Sequence, residues 1–390
     1  MSPDVPSLQS SALPPAQPKY VLRGHTAQVH AVRFLRCNSR LLTGDANGWV
    51  ILWDVPIKRP VAVWRAHAQT ILGVGVWGEV EEKVITHGRD NKLHIWQIRH
   101  EDETDLSKVL PIEETTADRK APWLLHSLDV NALNFCSFAM CRIPDSDHSH
   151  EQSILIAVPG VNDGAITITS LPSQSRFAAI PPLKDINTGM LMALRLHQTS
   201  TSLTVLAGYE SGHVALFRQP SSGQLWKPSY VAKTHAQPVL SLDLAPGLGA
   251  FFSSSADAII ARHSLDASTE PVLLRTKHAG QQSLVVRLDE RVFATAGWDG
   301  RVRVCGTKGG MTELAVLKWH KEGCFAVAFA DILDQGEQVD NDQVVAKKDD
   351  EAEIATKALT VSRRREANSA KTHWLAAGSK DGKVSLWDIY

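Results

Sequence analysis

THGRDNKLHIWQI, residues 86–98, places an Asp in a Gly-containing turn six residues ahead of a Trp. One reading makes Asp90 a catalytic acid, with His87 or His94 as its partner. The other has Asp90 buttress a turn while Trp96 fills a core. A catalytic acid is needed once, so recurrence decides between them, and internal repeats are the first thing to look for. The arrangement recurs along the chain. LLTGDANGWVILWD puts Asn47 at the turn and Trp53 six residues later, and LAAGSKDGKVSLWD does the same with Asp381 and Trp387. FATAGWDGRVRVC pairs Asp299 with Cys305 in the Trp slot, and FFSSSADAIIARH pairs Asp257 with His263. Two worn copies, VLAGYESGHVALF (Ser211, Phe217) and IAVPGVNDGAITIT (Asp163, Thr169), bring the total to seven. That favours architecture.

Upstream of most copies stands a His followed by an alternating apolar run: GHTAQVHAVRF at His25, AHAQTILGVGV at His67, THAQPVLSLDL at His235, KHAGQQSLVVRL at His278 and WHKEGCFAVAF at His320. His25 and Trp53 are 28 residues apart, and His67 and Trp96 are 29 apart. This spacing resembles the WD40 repeat along nearly the whole chain, with a GH-type dipeptide, three short strands and a WD-type dipeptide in each unit. The expected fold is an all-β, seven-bladed WD40 β-propeller over residues 19–390. Runs such as VHAVRF and KVSLW alternate at period two, as half-buried strands do, and DG or NG between them makes a tight hairpin. In the second blade, His67, Thr86, Asp90 and Trp96 are expected to form a structural hydrogen-bonded set running from loop to core. Such a set stabilises only if every buried member is paired.

The sequence stops at WDIY390, just after the third strand of the last repeat, where the other repeats have room for a fourth. KYVLR (19–23) is the candidate for the missing outer strand, closing the ring and removing an open edge. MSPDVPSLQSSALPPAQP (1–18) is Pro- and Ser-rich and reads as disordered. Three departures from the minimal repeat stand out. A charged connector (99–123) is expected between blades two and three, and a polar hairpin loop (141–153) inside blade three. A disordered insertion (331–371) is expected between the first two strands of the last blade. Within that insertion, Lys347-Lys348 and Arg363-Arg364-Arg365 read either as a split nuclear-import signal or as a solvated charged loop.

Of 390 residues 43% are hydrophobic, ample for a core between stacked sheets. No apolar run is long enough to span a bilayer, and the start shows no signal-peptide pattern. Five cysteines at irregular spacing, with no glycosylation sequon, suit a reducing compartment. A net charge of −1 gives no electrostatic footprint for direct nucleic-acid binding. Catalytic motifs fail on inspection. GSKDGKV (378–384) has too short a glycine spacing for a phosphate loop, and Val384 stands where Ser or Thr is required. GYESG (208–212) has its Ser one place from a nucleophile elbow. Cys136, Cys141, His148 and His150 can be drawn as a zinc set, but two of them fall in the polar loop. No enzyme, cofactor or metal site is expected.

What remains is an interaction platform. THGRDNKLHIWQI, FATAGWDGRVRV and the terminal LAAGSKDGKVSLWDIY resemble the corresponding segments of the fungal ASTRA-associated protein 1 family. They also resemble its animal relative, the guanine nucleotide-binding protein β-subunit-like protein 1. The resemblance implies a scaffold subunit of the nuclear ASTRA complex, with the cytoplasm as a second compartment. It also implies a link to chromatin remodelling and to assembly of phosphatidylinositol-3-kinase-related kinases. The partners implied are those kinases, the Tel2–Tti1–Tti2 co-chaperone and the RuvB-like ATPases, with the chain monomeric within the larger assembly. Two rivals stay in view. A G-protein β subunit needs an N-terminal coiled-coil helix, which Pro at 3, 6, 14, 15 and 18 opposes. A WD40 substrate receptor of a cullin-type ubiquitin ligase would carry W-D-x-R, whereas WQIR (96–99) has Gln97 and WDVP (53–56) lacks the Arg. The partner surface is expected on the face bearing the tight turns. There the residue before each turn Asp points outward: Ala46, Arg89, Asn162, Glu210, Ala256, Trp298 and Lys380. Arg89, Glu210, Trp298 and Lys380 are the candidates, because Trp and Arg are enriched at interface hot spots.

Overall fold

The computed structural model describes residues 16–113, 119–131, 135–143, 153–221, 224–333 and 361–389. They form seven four-stranded antiparallel sheets. Blade one runs from Val29–Leu35 (innermost) to Arg59–Arg65 (outermost), and the sheets follow one another around a central channel. The last blade pairs Cys324–Phe329, Trp374–Ser379 and Lys383–Asp388 with the N-terminal strand Tyr20–Arg23, in register Tyr20 to Leu386 and Arg23 to Lys383. The ring is therefore closed by the two ends of the chain.

Neighbouring sheets pack through alternate side chains, as the period-two pattern requires. Between blades seven and one, Leu22, Val29, Leu41, Trp53, Trp374 and Leu386 make one buried cluster. Tight turns lock the blades at their rims. Gly48 has φ +81°, and a Cβ there would lie 2.0 Å from the His67 carbonyl of the next blade. Gly382 (φ +74°) meets the His25 carbonyl in the same way across the closure. Only glycine allows both that φ and that approach.

The charged connector departs from expectation. Lys92–Gln97 pairs directly with Trp123–Asp129, so residues 98–122 lie inside blade two, before its outer strand, and not between blades two and three. Part of the connector straps blade one. Val63 donates its N–H to the Ser107 carbonyl (2.7 Å) and Ile112 donates to Gly24 (3.1 Å). Glu103, 5% exposed, accepts from Arg36 and from Arg40 (2.8 Å). Its charges are anchored, which a composition-based reading could not show.

The insertion is also more ordered than expected at its end. Val361–Lys371 is an α-helix, rich in the good helix formers Ala, Arg, Glu and Lys. The Trp374 indole N–H caps it onto the blade by donating to the Ser369 carbonyl at 2.9 Å. Arg364 and Arg365 of the basic cluster are exposed on this helix, whereas Lys347 and Lys348 lie outside the described residues. Residues 1–15, most of the blade-three loop (144–152) and 334–360 do so too.

Candidate functional site: buried His–Asp sets and the mouth of the channel

In blade two the chain forms the chemistry that the sequence question posed. His67 Nδ1 lies 2.9 Å from Asp90 Oδ1, and His67 Nε2 lies 2.8 Å from Thr86 Oγ1. The Trp96 indole donates to that same Thr86 oxygen at 2.9 Å, and the Ala68 N–H donates to Asp90 Oδ2 at 2.9 Å. The consistent proton assignment has Nδ1–H donating to the carboxylate and the Thr hydroxyl donating to Nε2. Carboxylate, imidazole and hydroxyl thus stand in the order of a hydrolase triad. Access is what separates them from one. Thr86 is fully buried and its oxygen is already occupied by the indole, so no substrate carbonyl can reach it. Burial, outweighing Asp90, keeps the His67 ring below its ordinary pKa. For Asp90, burial works upward but is outweighed by the Ala68 N–H and the His67 ring, so its pKa is lowered. The pair is a carboxylate on a neutral imidazole.

Blades one, five and seven solve the same problem with different residues. In blade one, His25 pairs with Asp45 (2.8 Å), not with the turn residue Asn47, and bonds Thr43 (2.7 Å), which accepts from Trp53 (2.9 Å). The acid sits two residues earlier than in blade two. There the equivalent position is Gly88, where a Cβ would lie 2.2 Å from His67 Nδ1. One pocket holds a carboxylate from the strand or from the turn, and whichever arrives excludes the other. Blade five uses His235 with Asp257 (3.3 Å) and Ser253 (2.8 Å), and His263 fills the indole slot with Nε2 2.9 Å from the Ser253 hydroxyl. In blade seven the hydroxyl comes from the neighbouring strand. Ser385 bonds His320 (2.8 Å) and accepts from Trp387 (2.8 Å), while Asp381 stands off at 3.8 Å. Blade six has lost the set: Arg303 takes Asp299 (2.6 Å), and the His278 side chain is half exposed at 3.6 Å. Cys305, in its Trp slot, is buried. The exposed Asp163 of blade three and Ser211 of blade four, bonded to His213 at 2.8 Å, complete the worn copies.

Of the two histidines open as acid–base partners of Asp90, His94 stacks on His67 with ring centroids 4.5 Å apart, and His87 is a core residue. Its Nδ1 accepts the Phe138 N–H at 3.2 Å between blades two and three, and burial lowers its pKa to about 3. Of the zinc candidates, His148 and His150 lie outside the described residues. Burial pushes the Cys136 thiol up, and that of Cys141 up to about 12, which disfavours the thiolate a metal needs. Asp90→Ala should accordingly act on stability, leaving the Ala68 N–H and His67 without an acceptor at about 1–3 kcal/mol. Thermal unfolding checks this; lost partner binding at an unchanged Tm would show the carboxylate to be functional instead.

The turn face surrounds one mouth of the channel, a cavity of about 1370 Å3 lined by Arg89, Trp298 and Lys380 among others. Arg89 stacks on the exposed Phe135, 4.3 Å from the ring centroid. Trp298 is 45% exposed, lies over Gly280 and donates its indole N–H to Gln282 at 2.8 Å. Lys380 pairs with Glu322 at 3.5 Å. Glu210 stands apart on blade four and is folded back, its carboxylate accepting the Met190 N–H at 3.1 Å. The sequence did not single out Phe135 and Lys321, which stand in the loops entering the blades, or Phe325 in the innermost strand of the last blade; no repeat position marks them.

The ASTRA-associated protein 1 family model matches residues 18–387, the closing strand and all seven blades. The chain belongs to that family. A relative from Aspergillus flavus, named ASTRA-associated protein 1, is 45% identical over 97% of this chain and 98% of its own length. One of the same name from Verticillium alfalfae is 44% identical over 100% and 97%. A more distant one from Schizosaccharomyces pombe is 33% identical over 80% and 93%. Among the described residues of this family member, no helix is long and apolar enough to cross a membrane.

Proposed function

We propose that this chain is a non-catalytic scaffold subunit that associates with the ASTRA assembly, and that the turn face is its docking surface. The observation carrying this is near-full-length identity with proteins named for that association. Two features of the chain support it. The His–Asp–hydroxyl sets recur, and their imidazoles and hydroxyls are buried, so they serve the ring. The largest half-exposed aromatic of the tight turns, Trp298, stands at the channel mouth with its ring edge open to solvent, and Trp is enriched among interface hot spots. The nuclear setting, the link to chromatin remodelling and to phosphatidylinositol-3-kinase-related kinases, and the Tel2–Tti1–Tti2 and RuvB-like partners rest on the family resemblance.

The test is affinity purification of the tagged protein from its own cells with mass spectrometry. The wild type is expected to recover ASTRA subunits, and Trp298→Ala with Arg89→Ala to lose them while Tm moves by no more than about 2 °C, as for surface changes. Recovery of a cullin adaptor in place of ASTRA subunits favours the ligase-receptor reading. Wild-type partner levels in the double variant exclude this face.

A further inference from the structure

Resting on the docking-face reading, we propose that the sector of that face formed by blades six and seven binds an acidic linear peptide segment carrying one large apolar side chain. The apolar half of the argument is Trp298. Its ring is fixed over Gly280, whose φ of +77° and missing Cβ it requires, since a Cβ would lie 2.1 Å from the indole. Its N–H is satisfied by Gln282, so the exposed ring edge is presented in one orientation. Such preorganisation reduces the ordering cost of binding. Beside it opens a groove of about 460 Å3, floored by Phe325 and Gly323 and flanked by Lys321, Glu322 and Lys380. Phe325 is itself held by stacking on His30, with ring centroids 5.3 Å apart. The space fits a long aliphatic or aromatic side chain entering between two rigid rings.

The charged half is an asymmetry that neither the net charge nor any single repeat reveals. Lys277, Arg301, Lys318, Lys321 and Lys380 all stand in the loops and turns of blades six and seven. The nearby acids are each paired, Asp299 with Arg303, Asp381 with Lys383 and Glu322 with Lys380, which leaves Lys277, Arg301, Lys318 and Lys321 as the basic excess of the sector. Across the ring, blades three and four expose Asp163, Asp185 and Glu210 against Lys184 and Lys233, a slight acidic excess on the same face. The face is thus bipolar. A short acidic segment confined to the basic sector gains from complementarity, whereas a long polyanion crossing the ring meets the acidic sector. That, with an overall charge of −1, favours a peptide over a nucleic acid.

The experiment pans the purified full-length protein against a displayed library of random twelve-residue peptides, then measures anisotropy of the enriched, fluorescently labelled peptides. Enrichment of Asp/Glu-rich sequences with one conserved aromatic or Leu is expected. Affinity should fall at least tenfold in Lys321→Gln/Lys380→Gln and in Trp298→Ala, weaken with added salt, and hold in Lys184→Gln on the opposite sector. Neutral or basic consensus sequences, no enrichment, acidic binding indifferent to Lys321 and Lys380, or a single-stranded oligonucleotide that outcompetes every peptide would each overturn the proposal. If the library result fails while Trp298→Ala with Arg89→Ala still loses cellular partners, the docking face stands and only its chemistry falls. If peptides bind as expected but the double variant keeps its partners, the peptide site stands and the scaffold reading of this face falls.

Discussion

A chain lacking residues 1–24 is expected to lose its soluble, folded state, whereas one lacking 1–18 melts with the full-length protein. The shorter cut stops before the first ladder bond, donated by the Lys19 N–H to the Leu386 carbonyl at 2.8 Å. The longer cut removes the strand Tyr20–Arg23 and its pairing with Lys383–Leu386. Leu22, 2% exposed between blades seven and one, goes with it. Emptying a buried leucine site alone costs about 2–5 kcal/mol. The loss also takes the Gly24 carbonyl that receives Ile112 of the strap. Against a typical total of about 5–15 kcal/mol, these losses leave little. The strand Lys383–Asp388 then becomes an unpaired edge, a template for aggregation. Size-exclusion chromatography and thermal melts of both truncations decide the matter. Two monomeric proteins with equal Tm would show that closure contributes nothing.

Acid should unfold this protein well before its carboxylates titrate. Burial holds His87 and His263 down to about 3, and His320 to about 4, with His67, His235 and His30 also lowered. Each of these rings is less basic folded than unfolded. As pH falls below about 6.5, the unfolded chain takes up protons that the folded chain refuses. Their stabilising contribution is therefore complete above pH 6.5 and drains away as pH drops toward the folded values. Each such histidine contributes a slope of about 1.4 kcal/mol per pH unit, so the three lowest give about 4 kcal/mol per unit below pH 6. Asp90, Asp299 and Asp381, all lowered, add loss in the same direction at more acidic pH. Urea titrations at pH 7.5, 6.0 and 5.0 should show the midpoint falling steeply over the last unit. A flat profile down to pH 5 would mean that these rings are charged inside the blades.

The sequence by itself determined the number of blades, the place of every tight turn and the use of residues 20–23 to close the ring. Those features rest on local causes, a period-two apolar pattern and tight turns that in all blades but the fifth use Gly or Asn at a positive φ, repeated often enough to fix the register. The set His67–Thr86–Asp90–Trp96 was legible for the same reason, since its members sit at fixed offsets within one blade. Choices among candidate hydrogen-bond partners were not legible. Asp45 competes with Asn47 for His25, and Ser385 supplies a hydroxyl where the strand opposite offers Ala377. Which one wins depends on where the imidazole lands in three dimensions. Pairing across a long connection was hidden too: the outer strand of blade two returns only after residues 98–122, part of which strap blade one, and the anchoring of Glu103 by Arg36 and Arg40 appears only once blades one and two meet. The bipolar turn face belongs to the same class. Its basic residues come from two successive blades, and only the pairing of the last blade across its insertion brings Lys380 beside Lys321 and Trp298.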